Sequence, residues 1–189
     1  LMERSFLSDD ELLLLFRDPV TKQKAFSQVI DKYKEKLYWH IRRMVLIHED
    51  ADDVLQNVFI KMWKGLDQFR EESKLYSWLY RIASNESITH LNRIKKQKQV
   101  ETDEEAYSFL EEKVKADSYF DASKVEWKLQ LAIQALPEQQ KLVFNLRYFD
   151  DMPYQEMSEV LGVSVGALKA SYHHAAKKVQ DYLVNELNF

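Results

Sequence analysis

The chain has 189 residues, no cysteine, three glycines and three prolines; 46% of it is hydrophobic and 13% aromatic. That composition excludes a disulfide scaffold, thiolate chemistry and intrinsic disorder, and the scarcity of Gly and Pro favours helices over strands and tight turns. The formal net charge of −4 argues against unaided binding to a polyanion, yet it hides an uneven distribution: residues 61–98 hold nine basic and four acidic side chains, 99–123 hold two basic and eight acidic, and 162–180 hold three lysines and no acid.

In chain order, Asp9 or Asp10 is placed to cap a first helix running through Phe16. Ala25, Phe26, Val29, Ile30, Tyr33, Leu37, Tyr38, Ile41 and Val45 recur every three or four residues and predict a long second helix. Positions 48–53 read as a break, with carboxylates at the positive end of the next helix dipole. Val54, Leu55, Val58, Phe59, Met62, Trp63 and Leu66 form the stripe of a third helix. A polar loop around Phe69 follows. A fourth helix carries Leu75, Trp78, Leu79, Ile82, Ile88, Leu91 and Ile94. Four amphipathic helices with short connections predict a bundle over residues 9–97.

Residues 98–124 are acidic and lack a strong period; they read as a linker with room for a short helix around Phe109 and Val114. A second unit spans 125–187. Trp127, Leu129, Leu131, Ala132, Ile133 and Leu136 lead to Pro137, well placed as the first residue of a helix bearing Leu142, Val143, Leu146 and Tyr148.

The segment 153–183 reads as two helices joined by a tight turn. Met157, Val160 and Leu161 mark the first. Gly162 supplies the turn and Ser164 can cap the second helix. Leu168, Tyr172, Ala175, Val179 and Leu183 are its buried face, while Lys169, His173, His174, Lys177 and Lys178 occupy the others. A second helix of this kind can lie in the DNA major groove. A helical hairpin with a solvated basic face has the same pattern, and so has a stand-alone helix-turn-helix regulator.

Enzyme chemistry is not indicated. The five histidines show no ligand spacing, and no HExxH, P-loop or GxSxG appears. Asp50, Asp52 and Asp53 read as a helix start rather than a metal cluster. No catalytic, metal or cofactor site is expected. No apolar run approaches the roughly 18 residues that span a bilayer, and residues 1–10 lack the pattern of a signal peptide, so no membrane insertion and a cytoplasmic location are expected.

Two segments together resemble a known family. DADDVLQNVFIKMWKGLDQFREESKLYSWLYRIASNESITHLNRIKK resembles the second domain of bacterial sigma factors of the extracytoplasmic-function (ECF) group, and AFSQVIDKYKEKLYWHIRRMV is similar to its start. IQALPEQQKLVFNLRYFDDMPYQEMSEVLGVSVGALKASYHHAAKKVQDYL resembles their fourth domain. The resemblance implies an all-α protein of two small helical domains. Residues 9–97 would dock on polymerase and recognise and melt the −10 element. Residues 98–124 would be an acidic linker, and 125–187 a helix-turn-helix domain reading the −35 element. Implied partners are core RNA polymerase through its β′ and β subunits, promoter DNA and an anti-sigma factor.

Melting requires capture of an unstacked base, for which stacking surfaces worth about 1–3 kcal/mol per base and a basic track serve. The resemblance puts that pocket at Phe69, Arg70 and Lys74. Tyr76, Arg81, Asn85, Asn92, Arg93, Lys95 and Lys96 follow as contacts to bases and phosphates. Trp78, Leu79 and Ile82 stand at core spacing, and Tyr76 suits either core rim or base contact. Asp52, Asp53, Gln56 and Asn57 would offer acceptors to arginines of a β′ coiled coil, flanked by Phe59, Met62 or Trp63. Asp52 equally suits a helix cap, and Phe59 the core. Arg147, Ser164, Ala167, Lys169, Ala170, Ser171, His173 and Lys177 would meet the −35 element. Here the chain departs from the family: Ser171 and His174 stand where Arg is common, and Ala170 where Ser is usual. This removes a bidentate reader of guanine. The linker carboxylates would mimic nucleic-acid charge near the path of the RNA, or serve only as a solvated spacer.

Overall fold

A computed structural model describes residues 6–97, 105, 108, 111–112 and 125–187. Its helices are α1 (Asp9–Arg17), α2 (Lys22–Val45), α3 (His48–Gly65), a short 3-10 turn (Leu66–Gln68), α4 (Leu75–Gln97), α5 (Val125–Gln134), α6 (Glu138–Tyr148), α7 (Tyr154–Leu161) and α8 (Val165–Leu187). No strand occurs among the described residues. Most of the acidic stretch 98–124, including Phe109 and Val114, lies outside them; Glu105, Ser108, Glu111 and Glu112 are helical.

Several helix starts differ from the sequence expectation, each for a local reason. The cap of α1 is Ser8, not an aspartate. Its backbone N–H donates to Glu11 Oε2 at 2.8 Å and the Glu11 N–H donates to Ser8 Oγ at 3.2 Å, closing a reciprocal box. The backbone bond from Ser8 holds the Glu11 carboxyl below its usual range. Asp9, relieved of capping, accepts from Tyr33 Oη at 2.6 Å and from Lys32 Nζ at 2.8 Å, tying α1 to α2. The break after α2 is only Leu46 and Ile47, and His48 is already helical. Leu46 turns the chain at φ 65, in the left-handed region, with its side chain 2% exposed. Pro137 and Pro153 cap helices rather than open them; their carbonyls accept from Lys141 and Met157 N–H, both at 2.9 Å.

The periodic residues form the interior. Leu12 and Phe16 of α1, Leu37 and Ile41 of α2, Val54, Val58 and Met62 of α3, and Leu79 and Ala83 of α4 are buried in one cluster. That cluster does not stop at the first unit. Leu142, Val143 and Leu146 of α6, Met157 and Val160 of α7, and Leu168 of α8 belong to it. A second cluster of Ile133, Leu136, Phe144, Ala175 and Val179 joins α5, α6 and α8. Polar bonds cross the seam: Gln134 Nε2 donates to the Arg43 carbonyl at 2.9 Å, and Asn145 Nδ2 to Met44 Sδ at 3.5 Å.

Candidate nucleic-acid and polymerase interfaces

The loop between α3 and α4 is held from three sides. Lys22 Nζ binds Asp67 at 2.7 Å, and Arg17 binds Glu71 at 2.5 Å. Phe69 packs on Trp78 with ring centroids 5.2 Å apart. Gly65 lets the Trp78 ring come close, since a Cβ there would lie 2.9 Å from it. Glu71 bends the chain at φ 57. The result is a cleft of about 360 Å³ lined by Gln68, Phe69, Arg70, Glu72, Ser73, Trp78 and Arg81. It offers two aromatic walls, two guanidinium donors and amide and hydroxyl groups, a set that suits one extruded base. A neighbouring cleft of about 340 Å³ lies between the loop and Asp9, Asp10 and Leu13 of α1. Gln68 and Trp78 escape sequence reasoning: the first is an ordinary polar loop residue, and the spacing of the second signals only packing.

Along α4, Arg81, Asn85, Asn92 and Lys96 are exposed at helical spacing, so they share one face. Tyr76 is half-buried, 4.6 Å from the Tyr80 ring and 6.3 Å from that of Tyr33. Burial raises its phenol above the usual range. Arg93 donates to His90 Nδ1 at 3.1 Å, and His90 Nε2 faces Asp50 at 3.3 Å, so this arginine also fastens α4 to the start of α3. Lys74, Arg81 and Lys95 meet acceptors of the second unit: Glu156 at 2.8 Å, the Glu159 carbonyl, and Glu138 at 3.1 Å.

On α3, Asp53, Gln56, Asn57 and Ile60 are exposed at helical spacing, and Asp52 pairs with His48 at 3.4 Å. Of the expected apolar flank, Met62 is fully buried and Phe59 packs against the core. Trp63 packs edge-on on Phe26 at 4.9 Å and Phe16 at 5.7 Å yet stays 39% exposed. Ile60, 52% exposed, is a further apolar neighbour of the acceptors.

In the helix-turn-helix, Gly162 ends α7 at φ 67, and Ser164 Oγ accepts from the Ala167 N–H at 3.3 Å. Ala167, Lys169, Ala170, His173 and Lys177 are exposed on α8, and Ser171 is half-buried. The readable face is thus made of small side chains, a histidine and two lysines. Arg147 is directed at its own turn: it pairs with Asp151 at 3.2 Å, donates to the Met152 carbonyl at 3.2 Å and stacks over Tyr154. An apolar groove of about 420 Å³ lies beside this unit, lined by Leu129, Phe144, Tyr148, Tyr172, Val179 and Leu183 among others. Among the described residues no group of His, Asp and Glu could hold a metal, and no helix is long and apolar enough to cross a membrane.

Comparison with known proteins agrees in both halves. Residues 29–97 match the family profile for sigma-70 region 2, and residues 126–179 the profile for sigma-70, region 4. The chain is 28% identical over 168 residues to the ECF RNA polymerase sigma factor SigW of Bacillus subtilis, covering 85% of this chain and 90% of that protein. It is 30% identical over 169 residues to the RNA polymerase sigma-H factor of Pseudomonas aeruginosa, covering 85% and 87%. Its fold is similar to that of the sigma factor RpoE solved in complex with the anti-sigma factor NepR from Bartonella quintana, with a TM-score of 0.65, 19% identity, and 85% and 97% of the two chains covered. Helical architecture, an exposed helix-turn-helix and matched segments in order lead to one conclusion: the chain belongs to the ECF group of the sigma-70 family of RNA polymerase sigma factors.

Proposed function

We propose that the chain carries core RNA polymerase to promoters, reads two DNA elements and opens the strands at one of them. Residues 9–97 act as the polymerase-docking and −10 unit, 98–124 as an acidic connection, and 125–187 as the −35 unit. The observation that carries the reading is the cleft walled by Phe69 and Trp78 with Arg70 and Arg81 at its edge, continuous with the Arg81–Asn85–Asn92–Lys96 face of α4. A flipped base seats in the cleft against the Phe69–Trp78 pair while the amides and cations of α4 follow the strand. Asp52, Asp53, Gln56 and Asn57, with Ile60, form the face toward β′. The apolar groove between α5, α6 and α8 receives a segment of β. Ser164, Ala167, Lys169, Ala170, Ser171, His173 and Lys177 meet the −35 element. Bond formation belongs to the polymerase, and the protein acts in the cytoplasm. An anti-sigma factor covers these faces when the protein is held inactive. Run-off transcription with core polymerase tests the reading: a promoter-directed product that requires the chain supports it, and no such product at any cognate promoter refutes it.

A further inference from the structure

Several polar side chains expected at the −35 element are already in use within the fold. Arg147 pairs with Asp151, donates to the Met152 carbonyl and stacks over Tyr154. Ser164 Oγ accepts the Ala167 N–H as a helix cap, and Ser171 is half-buried. Lys169 Nζ leans over the Tyr154 ring, 5.8 Å from its centroid. Lys178, on a neighbouring face, donates to Gln140 Oε1 of α6 at 3.0 Å. His173 is different. It is exposed, its ring stands 5.9 Å from that of His174, and no hydrogen bond or ion pair to a described residue engages it.

The helical period then defines what α8 presents. Leu168, Ala175 and Val179 are buried. At about 100° per residue, Gly166, Ala170, His173 and Lys177 stand on the opposite side, and all four are exposed. Ala167 flanks this ridge on one side and Lys169 on the other. The first two turns, which meet base edges when such a helix enters the major groove, therefore offer a glycine and two alanines. None of these has a side-chain hydrogen-bonding group. Nothing inside the chain asks for the glycine: a Cβ on Gly166 would meet nothing within 4 Å, and its φ is not in the left-handed region. Glycine also disfavours a helix, so its bare backbone is best used for close approach to an outside surface. An alanine methyl fits the C5-methyl of thymine, and one imidazole N–H fits a purine N7, which adenine and guanine share. We propose that this chain reads the −35 element by thymine methyl groups against Gly166, Ala167 and Ala170 and by one hydrogen bond from His173 to a purine N7. Adenine and guanine are then accepted alike at that purine. This rests on the −35 assignment above and adds its base specificity.

The test uses holoenzyme assembled from core polymerase and the full chain, with a promoter fragment taken from the start sites that this holoenzyme selects. Thymines of the −35 segment are replaced one at a time by deoxyuridine, which removes only the methyl. Purines there are replaced by 7-deaza analogues, which remove only N7. These changes lie in the DNA, so folding of the chain is not at issue. At constant salt, loss of one contacted methyl is expected to weaken binding about fourfold, and loss of the hydrogen bond about fivefold. H173A should erase the 7-deaza effect at one position and leave the deoxyuridine effects in place. Binding indifferent to every deoxyuridine and every 7-deaza substitution overturns the inference. So does a 7-deaza effect that H173A leaves unchanged, or a purine position that takes guanine and refuses adenine. K169A/K177A separates the two claims. If it weakens the −35 footprint while the modified bases have no effect, the base specificity alone fails. If neither the lysines nor the modified bases alter the footprint, the −35 assignment fails.

Discussion

Gly162 holds φ 67, and a Cβ built on it would meet nothing within 4 Å. Any cost of replacing it is therefore backbone strain, not crowding. Gly162→Ala should destabilise the chain by about 1 kcal/mol, with Gly162→Asn costing less because Asn tolerates the left-handed region. A urea midpoint unchanged by the alanine would contradict that conformation. Two tyrosines make a second prediction at this scale. Burial is the main cause that raises the phenols of Tyr33 and Tyr80 above the ordinary value of 10.0; Asp9 reinforces the first and Asp150 the second. The sign follows: the fold favours the neutral phenol, so their contribution is intact below the pH at which an unfolded tyrosine ionises and is lost as pH rises toward the folded values. Phenolate absorbance should rise in two stages, the second coinciding with loss of helical circular dichroism. A single early stage would contradict it.

At the scale of elements, the proposed function assigns strand opening to the loop and α4, and duplex contact to α8. Asn85→Ala, or replacement of the loop around Phe69, should lower permanganate reactivity of the opened strand more than it lowers initial docking of holoenzyme. Equal loss of both would contradict the division of labour. Lys169→Ala should weaken the −35 footprint uniformly across sequences and reduce the salt slope of binding by about 1; an unaltered footprint would remove Lys169 from that face. Much of the fold was legible in the chain. The stripes of α2, α3 and α4 announce themselves by spacing, and Gly162 followed by Ser164 marks a turn by chemistry. Other features were not, for physical reasons. Ser8, Asp9 and Asp10 are all good caps, and only the box with Glu11 selects the first. Leu46 carries no glycine signal for its left-handed turn. Met62 and Ile60 are equally apolar on paper, and only packing buries one and exposes the other.

For the whole molecule, net charge hides where the charges sit. A chain of −4 reads as a poor ligand for DNA, but its carboxylates are placed: eight lie in 99–123, and Glu138 and Glu156 lie against Lys95 and Lys74. A carboxylate on a solvated face and one across a seam look alike in sequence, so the closure of the two units on each other was hidden until the fold was seen. What this chain adds to a catalytic machine it does not contain is the choice of where transcription starts. The most direct measurement is the mapping of RNA 5′ ends made on genomic DNA by core polymerase with and without the chain. The predicted result is a limited set of start sites, each preceded by the same pair of spaced elements, that vanish when the chain is left out. Start sites that are the same in both reactions would contradict it.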